Sequence, residues 1–299
     1  MASPLRSPAE AIRRVSELLR RGPQSISPTA HYTGYVWARS GLGPKELATP
    51  TGRVMFQGLQ PLMAASGLIG GPTVEGFLLA RHRLIDLLLK DAIDDGIVSQ
   101  VVEIAAGMSP RGQRFAAEYG DRITYVEADL PAMAARKRSA LEKMDLLSDH
   151  HRVVDIDALR DDGPGSLASL VAGLDAGRGI AFVTEGLLNY LSPDDVRGLW
   201  KRIAHNAVGF PEARYFSDLH LASENAGAVV RLYSLALGAF VRGQMHFHFK
   251  DVAEARTELL LAGFDEADLH RPEEFLDRLP GIAPNGSVVV RVVDARMTP

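Results

Sequence analysis

Residues able to take part in chemistry gather at one turn in the middle of the chain. The stretch VVEIAAGMSPRG, residues 101–112, joins an apolar run to an acid, Glu103, and to small residues that include Gly107. Such a turn lets a ligand approach the backbone, because glycine has no side chain to hold it away. The dinucleotide pattern G-x-G-x-x-G is not matched, since Ala105 stands at its first glycine and Pro110 at its last.

These departures argue against NAD or FAD as the ligand of the turn. A pyrophosphate needs several backbone N–H groups in a glycine-rich turn that opens directly into a helix. Pro110 has no N–H to offer between Gly107 and Gly112. A cofactor without phosphate needs only one close passage of the backbone, together with acids for a ribose and an ammonium group. S-adenosyl-L-methionine fits this description, and Glu103, at the end of the strand, could face it.

A second group of acids closes the next apolar run. In YVEADLP, Glu127 and Asp129 follow the glycine turn by about 20 residues, a spacing at which an acid can accept ribose hydroxyls. Acids also end many strands, so solvated strand ends are an alternative interpretation of this pattern taken alone.

A regular succession of elements would bring these residues together. Short apolar runs alternate with helical stretches from about residue 97, and several runs are apolar throughout, which is typical of strands covered on both faces. This order predicts an α/β fold with a doubly wound, mostly parallel sheet. The predicted strands are 97–105, 123–129, 151–157, 179–186, 213–221, 264–270 and 287–295.

The two ends of the chain differ from this regular pattern. Residues 1–90 are predicted to form an N-terminal helical cap or lid, and residues 91–299 to form the cofactor-binding sheet domain. Before the last strand the chain carries the turn-forming pair Asn285–Gly286, which predicts that the final strand enters the sheet antiparallel.

Composition excludes several functional classes. The 299 residues carry a formal net charge of −4, which gives no electrostatic case for nucleic acid. No apolar run reaches the roughly 18 residues of a membrane span. The chain has no cysteine, so disulfides, thiolate zinc sites and a cysteine nucleophile are excluded, and a cytoplasmic location is expected.

Three ordered motifs resemble one protein family. VVEIAAGMSPRGQRFA resembles the first motif of the leucine carboxyl methyltransferase-like family, which includes phosphatase-modifying enzymes and bacterial O-methyltransferases of polyketide pathways. YVEADLPAMAARKRSAL resembles the second motif, with its Asp-apolar-Pro and following Lys. AFVTEGLLNYLSPDDV is similar to the family's Glu-Gly-x-Leu-x-Tyr-Leu motif. The resemblance covers roughly residues 25–200 and implies a seven-stranded, Rossmann-like methyltransferase sheet.

The resemblance also implies roles at the donor site. Arg81, in LLARHRLID, would pair with the methionyl carboxylate, as suits a guanidinium fork. Gly107 would form the turn under the methionyl portion with Ala105, which replaces a family glycine but keeps its small size. Asp129 would accept the ribose hydroxyls, and Glu185 would lie close to the cofactor at the end of the fourth strand.

The adenine and acceptor positions leave alternatives open. Asp157 and Ala158 would flank the adenine, although Asp155 could take that role. His220, after the fifth strand, is a candidate general base or else a structural histidine. A segment before the sheet could form a lid that lines the acceptor site, although aromatic residues at helical spacing are also typical of a core. Its candidate substrate-binding residues are Tyr32, Tyr35 and Arg39.

No metal is expected, because His246 and His248 have no third ligand in the pattern. The sequence thus predicts an S-adenosyl-L-methionine-dependent methyltransferase that acts on a hydroxyl or carboxylate oxygen of a small molecule, in secondary metabolism of the polyketide type. An NAD-dependent oxidoreductase and a non-catalytic ligand-binding protein on the same fold are the alternatives.

Overall fold

The computed structural model describes residues 28–68, 74–225, 246–279 and 289–298. The first 27 residues of the predicted cap and the Asn285–Gly286 pair lie outside these ranges, so the structure does not address the conformation of either.

Seven strands form one sheet in the order β3-β2-β1-β4-β5-β7-β6. The first five strands pair in parallel, and β7 lies antiparallel between β5 and β6. This arrangement confirms the predicted doubly wound, mostly parallel sheet with an antiparallel last strand. The strands are β1 (Gln100–Ile104), β2 (Thr124–Asp129), β3 (His151–Asp155), β4 (Ile180–Thr184), β5 (Ala213–Leu219), β6 (Glu266–His270) and β7 (Arg291–Met297).

Helices cover both faces of the sheet and its carboxyl edge. Serine or aspartate side chains cap three of them by accepting an N–H from the first turn, at Ser166, Ser192 and Asp251. The helices are α1 (Pro28–Arg39), α2 (Pro50–Leu68), α3 (Val74–Asp94), α4 (Arg111–Tyr119), α5 (Pro131–Glu142), α6 (Leu167–Val171), α7 (Pro193–Ala207) and α8 (Val252–Ala262). Short 3₁₀ helices lie at Lys45–Leu47, Gly120–Arg122, Leu188–Tyr190 and Pro272–Phe275.

The alternation of side chains along β1 divides the core into two layers. Val102 and Ile104 pack in one hydrophobic cluster with α6, α7 and α8, whereas Val101 packs in another with α3 and α4. Because Glu103 shares the face of Val101, its carboxylate points toward α3 and α4. The charged residues that end the strands on this face are therefore placed between the sheet and two helices.

Helix α3 packs within the second layer. Leu84, Ile85 and Leu89 are fully buried in the cluster that contains Val101 of β1, and the helix lies against β5 and β7. The helix crosses the predicted boundary at residue 90, and the division of the chain at that position stays a prediction. In the described part of the chain, no helix is long and apolar enough to span a membrane.

Helices α1 and α2 form a third apolar cluster with the start of α3. Tyr32, Val36 and Trp37 pack there with Phe56 and Phe77, and Val289 and Val290 complete the cluster from the segment before β7. The predicted cap is thus joined to the sheet through buried apolar side chains.

Candidate functional site at the carboxyl edge of the sheet

The turn after β1 has an unusual backbone. Ala105 and Gly107 both have positive φ, at 54° and 52°. For a residue with a Cβ, this left-handed region costs roughly 1–2 kcal/mol, so Ala105 is strained where glycine would not be. A Cβ on Gly107 would lie 3.6 Å from the Cβ of Ala30, in the gap between the turn and α1. Because 3.6 Å is an ordinary van der Waals distance, the positive φ, and not lack of space, favours glycine at position 107.

Asp129 ties the end of β2 to this turn. Its Oδ2 accepts the Gly107 N–H at 2.7 Å, and its Oδ1 accepts the Leu130 N–H at 2.8 Å. Burial raises the pKa of Asp129, although these two amides act in the opposite direction. A carboxylate has about four lone-pair positions, so two acceptor positions remain for ligand hydroxyls.

Arg111, the first residue of α4, is fully buried and binds three acids. Its Nε donates to Asp86 at 2.5 Å, its Nη1 to Glu103 at 2.7 Å and its Nη2 to Glu185 at 2.6 Å. Glu103 also accepts the Tyr125 hydroxyl at 2.8 Å. The structure therefore places Glu103 beneath the turn, with both oxygens engaged, which favours a supporting role over direct contact with a ligand.

Arg81 connects β4 to β5. It donates from Nε to Glu185 at 3.2 Å and from Nη1 to Asp218 at 2.6 Å. Asp218 also accepts the Gly186 N–H at 2.6 Å. Gly186 has a φ of 68°, and a Cβ there would lie 2.8 Å from Nη2 of Arg81. The second terminal nitrogen of Arg81 therefore lies directly against the backbone of Gly186, where a side chain would overlap it.

The electrostatic balance at this edge is acidic. Burial raises the pKa of Glu185, but His82, Arg111 and Arg81 outweigh burial and hold it well below its usual range. Burial likewise raises the pKa of Asp86, but His82, Arg111 and Arg114 outweigh burial and lower it. Five carboxylates thus face three guanidinium groups, a balance that suits a ligand with positive charge. The acids are Asp86, Glu103, Asp129, Glu185 and Asp218, and the bases Arg81, Arg111 and Arg114.

His220 lies at the same edge, after β5. Its Nδ1 donates to the carbonyl of Val289 at 2.6 Å, so Nε2 carries the free lone pair of the neutral ring. Nε2 is 4.0 Å from Asp218, and the ring meets Phe77 edge-on at 5.7 Å. Burial lowers the pKa of His220; Asp218 raises it and Arg81 lowers it further. The imidazole is therefore neutral at physiological pH.

The predicted lid residues belong to the third apolar cluster. Tyr32 is buried and stacks on Phe56 with ring centroids 6.1 Å apart, and Tyr35 lies 5.2 Å from the same ring. Arg39 lies over Phe56 at 5.1 Å and 4.0 Å from Glu75. These contacts favour packing for the aromatic pair; their role in binding an acceptor stays a prediction.

Trp37 joins the cap to the charged network. Its ring stacks on that of His82 at 4.4 Å, and His82 Nδ1 lies 2.8 Å from Glu185. A Cβ on Gly34 would lie 2.9 Å from the Cβ of Met108 in the turn. Helix α1 is therefore in direct contact with the turn and with His82, which connects it to Glu185.

The loop after β3 carries the residues predicted to flank an adenine. Asp157 is half-buried, and its Oδ1 accepts the Leu159 N–H at 3.0 Å while its own N–H donates to Gly165. Ala158 beside it is also half-buried. Asp155 is exposed and pairs with Arg138 at 2.7 Å. These contacts favour Asp157 over Asp155 as the residue available to a ligand.

Five members of the network were not singled out from the sequence: His82, Asp86, Arg111, Arg114 and Asp218. His82 and Asp86 stand four apart on α3, which places them on one helix face. This spacing, directly after Arg81, could have predicted that His82 and Asp86 lie near the same site. No local pattern indicates that Arg111 or Asp218 would contact α3.

The alternating histidines after the fifth strand make packing contacts. His246 and His248 stack at 5.5 Å, and Nε2 of His248 donates to the Leu188 carbonyl at 2.9 Å. Within residues 28–68, 74–225, 246–279 and 289–298, no group of three or more His, Cys, Asp or Glu side chains could hold a metal ion.

Comparison with known proteins decides the family. A sequence model of the family described as leucine carboxyl methyltransferase matches residues 48–204, more than half of the chain. The chain belongs to this family. The matched region contains α3, the turn after β1, the acid that ends β2 and the Glu-Gly motif after β4, so it includes most of the network described above.

Relatives in actinobacteria share this region. A candidate S-adenosyl-L-methionine-dependent methyltransferase of Streptomyces coelicolor is 37% identical over 131 residues, which cover 44% of each chain. Another from Mycobacterium marinum is 32% identical over 197 residues, which cover 60% of this chain and 62% of the relative. The chain thus spans about half of the length of the relatives that it matches.

Solved structures share the fold at low sequence identity. A DUF574 family protein from Streptomyces avermitilis has a TM-score of 0.59 and 15% identity, covering 91% of this chain and 97% of that one. A candidate methyltransferase from Thermobifida fusca has a TM-score of 0.58 and 13% identity, covering 91% and 98%. These likenesses support the Rossmann-like fold that the sequence predicted.

Proposed function

We propose that the chain binds S-adenosyl-L-methionine at the carboxyl ends of β1, β2 and β4 and transfers its methyl group to an oxygen of a small molecule. The observation that carries the proposal is the hydrogen bond between the Gly107 amide and Asp129. It joins a close backbone turn to an acid with free lone pairs, as a ligand with a ribose and no phosphate requires. Membership of the leucine carboxyl methyltransferase family supports this assignment.

The charge of the site fits this cofactor. Its sulfonium and ammonium groups are cations, and the carboxylates at the edge outnumber the guanidinium groups. A dinucleotide would instead bring a pyrophosphate to a turn in which Pro110 stands at the N-cap of α4 without an N–H. Arg111 is the first residue of that helix, and its side chain is committed to three acids. The site therefore favours S-adenosyl-L-methionine over NAD.

Individual residues take the following roles in the proposal. Nη2 of Arg81, which lies against Gly186, pairs with the methionyl carboxylate. Asp129 accepts the ribose hydroxyls while holding the turn. Glu185 keeps Arg81 in place and adds negative charge near the ammonium group. Asp157 and Ala158 flank the adenine from the loop after β3.

When bound, the cofactor would supply an electrophilic methyl group on a positively charged sulfur, and that sulfur would become a neutral thioether on transfer of the methyl group to oxygen. Nε2 of His220 accepts the proton from an acceptor hydroxyl, because Nδ1 is fixed as a donor to Val289. Helix α1 covers the turn and excludes water from this edge.

The surroundings of His220 favour a hydroxyl over a carboxylate acceptor. The nearest charged groups are Asp218 and Arg81, whose guanidinium pairs with two acids and, in this proposal, is completed by the methionyl carboxylate of the cofactor. Phe77 adds an apolar face. An incoming carboxylate would gain no unpaired cation from these neighbours. Arg39, a candidate to orient a carboxylate, is more than half exposed and lies over Phe56. We therefore propose that the chain methylates the oxygen of a neutral hydroxyl compound. The motif resemblance supports bacterial polyketide metabolism as the proposed setting, and the lack of cysteine supports a cytoplasmic location.

Calorimetry tests the donor assignment directly. The purified chain is titrated with S-adenosylhomocysteine and, separately, with NAD⁺; heat of binding is expected only for the first. Binding of NAD⁺ alone would establish the oxidoreductase alternative. A non-catalytic binding protein would bind S-adenosylhomocysteine but transfer no label from methyl-labelled S-adenosylmethionine to any member of a hydroxyl- and carboxylate-bearing panel.

A further inference from the structure

A second buried charged cluster lies behind the turn. Glu127 of β2, Lys137 of α5 and His151 of β3 are each at most 1% exposed. None of them belongs to the Arg81 and Arg111 network. Charged side chains are almost never fully buried unless they are paired, so a specific arrangement must hold the three together.

His151 fixes Glu127. Nδ1 of His151 donates to the Leu146 carbonyl at 2.8 Å, while Nε2 lies 2.6 Å from Oε1 of Glu127. Both nitrogens thus face oxygen acceptors, so a proton must occupy the Nε2–Oε1 hydrogen bond, on the imidazole or on the carboxyl group. This bond leaves Oε2 of Glu127 for the amine of Lys137, with which it forms an ion pair.

Gly112 makes room for this arrangement. A Cβ at position 112 would overlap the carboxylate of Glu127. The second glycine of the sequence motif therefore serves the buried cluster, since the absence of its side chain lets Glu127 lie against the first turn of α4.

Lys137 carries the effect of the cluster to the turn. Its Nζ donates to the carbonyl of Ala106 at 3.3 Å. That carbonyl belongs to the same peptide unit as the Gly107 N–H, which donates to Asp129. A trans peptide is planar, with its C=O and N–H pointing in opposite directions. Lys137 and Asp129 therefore hold one peptide plane from its two sides, between two residues of positive φ.

We infer that Lys137 is a positioning residue for the Ala106–Gly107 peptide, oriented by Glu127 and His151. It sets the direction of the Gly107 N–H and thereby the carboxylate of Asp129. The expected effect on cofactor binding rests on the proposed function. The effect on the Ala106–Gly107 peptide does not, and it can be tested without any ligand.

The test compares Lys137→Met with Lys143→Met, a matched change at an exposed lysine just after the same helix. Hydrogen exchange of the peptide that contains Gly107 is followed by mass spectrometry in the ligand-free protein. S-adenosylhomocysteine affinity is then measured by calorimetry. Lys137→Met should speed exchange at the turn and weaken binding by about tenfold each, the effect of one lost hydrogen bond to a charged group. Lys143→Met should match the wild type in both.

A double variant separates positioning from stability. Lys137→Met alone leaves Glu127 without its cation, so the double change Glu127→Gln with Lys137→Met should recover thermal stability but neither the slow exchange nor the affinity. It also replaces the single variant if the latter does not fold. Wild-type exchange and affinity in a folded Lys137→Met or double variant would overturn the inference. Failure of the wild type to bind S-adenosylhomocysteine would instead refute the proposed function, and the exchange data would still decide the role of Lys137.

Discussion

Replacing Asp129 with asparagine tests the centre of the proposed donor site. The carboxylate accepts two backbone N–H groups, from Gly107 at 2.7 Å and Leu130 at 2.8 Å. Asparagine has one oxygen and one NH₂ group in the same space, so the backbone N–H of either Gly107 or Leu130 would face a second donor in place of an acceptor. The substitution keeps the shape of the side chain and removes the charge, which makes it more informative than truncation to alanine.

The expected magnitudes follow from these contacts. A hydrogen bond to a charged group contributes about 1.5–3 kcal/mol. Burial raises the pKa of Asp129, so part of that gain is offset by the cost of burying the charge, which asparagine avoids. We expect the free energy of unfolding to fall by about 1–2 kcal/mol. Loss of the charge toward the ribose hydroxyls should weaken S-adenosylhomocysteine binding by about 2 kcal/mol, or about 30-fold.

Calorimetry measures the affinity, and urea denaturation the stability, in Asp129→Asn and in Asp121→Asn. Asp121 is an exposed aspartate just before the amino end of β2, so it controls for the loss of one charge near the same strand. The control should behave as the wild type. A folded Asp129→Asn protein with unchanged affinity would refute the placement of the ribose at the end of β2.

Three further outcomes are expected. Because burial lowers the pKa of His220 below its ordinary value of 6.5, kcat/KM should stay level from about pH 8 to 6.5 and fall only at lower pH. His220→Ala should cut the rate about 10²–10⁴-fold and abolish that fall. A control change at the exposed His205, His205→Ala, should do neither. Trp37→Ala should lower the free energy of unfolding by about 3–5 kcal/mol in urea denaturation, and a loss below about 1 kcal/mol would show that its stack on His82 does little. Ala105→Gly should be neutral or stabilise by up to about 1 kcal/mol, since relief of the positive φ exceeds the added chain entropy, while Ala105→Val should destabilise; the reverse order in the same measurement would contradict the strain at this turn.

The fold was accessible from the sequence because it depends on local pattern. Apolar runs predicted all seven strands, and each observed strand overlaps its prediction. The predicted first strand, 97–105, is longer than β1, Gln100–Ile104. At its start, the N–H groups of Ser99 and Gln100 both donate to the Gly179 carbonyl, where the chain enters the sheet. At its end, Ala105 leaves the sheet with a positive φ. Apolarity indicates burial, but it does not show where backbone pairing begins.

The pairing of acids and bases was not accessible in the same way. Spacing after the glycine turn singled out Asp129, and the structure places it against Gly107. No comparable spacing connects Arg81 with Asp218, which stands 137 positions later in the chain. Glu103 illustrates the consequence: no local spacing predicted that Arg111, eight positions later, and Tyr125, on the next strand, would bind its side chain, and its contact with a ligand stays a prediction. Only the order of strands in the sheet decides which charges become neighbours.

Small residues in the cap show how the two parts of the chain depend on each other. Ala30 and Gly34 lie against Gly107 and Met108 of the turn, and a Cβ on Gly43 would overlap Pro110. A larger side chain at any of these positions would push α1 away from the turn and would also disturb the stack of Trp37 on His82. The strained backbone after β1 is therefore held from two directions, by the cap above it and by Asp129 and Lys137 behind it. Strain of this kind persists only where the surroundings over-determine the conformation. A turn that lacks the usual glycines can therefore keep a shape suited to a ligand, because contacts from the rest of the fold hold the conformation that glycine would adopt without strain.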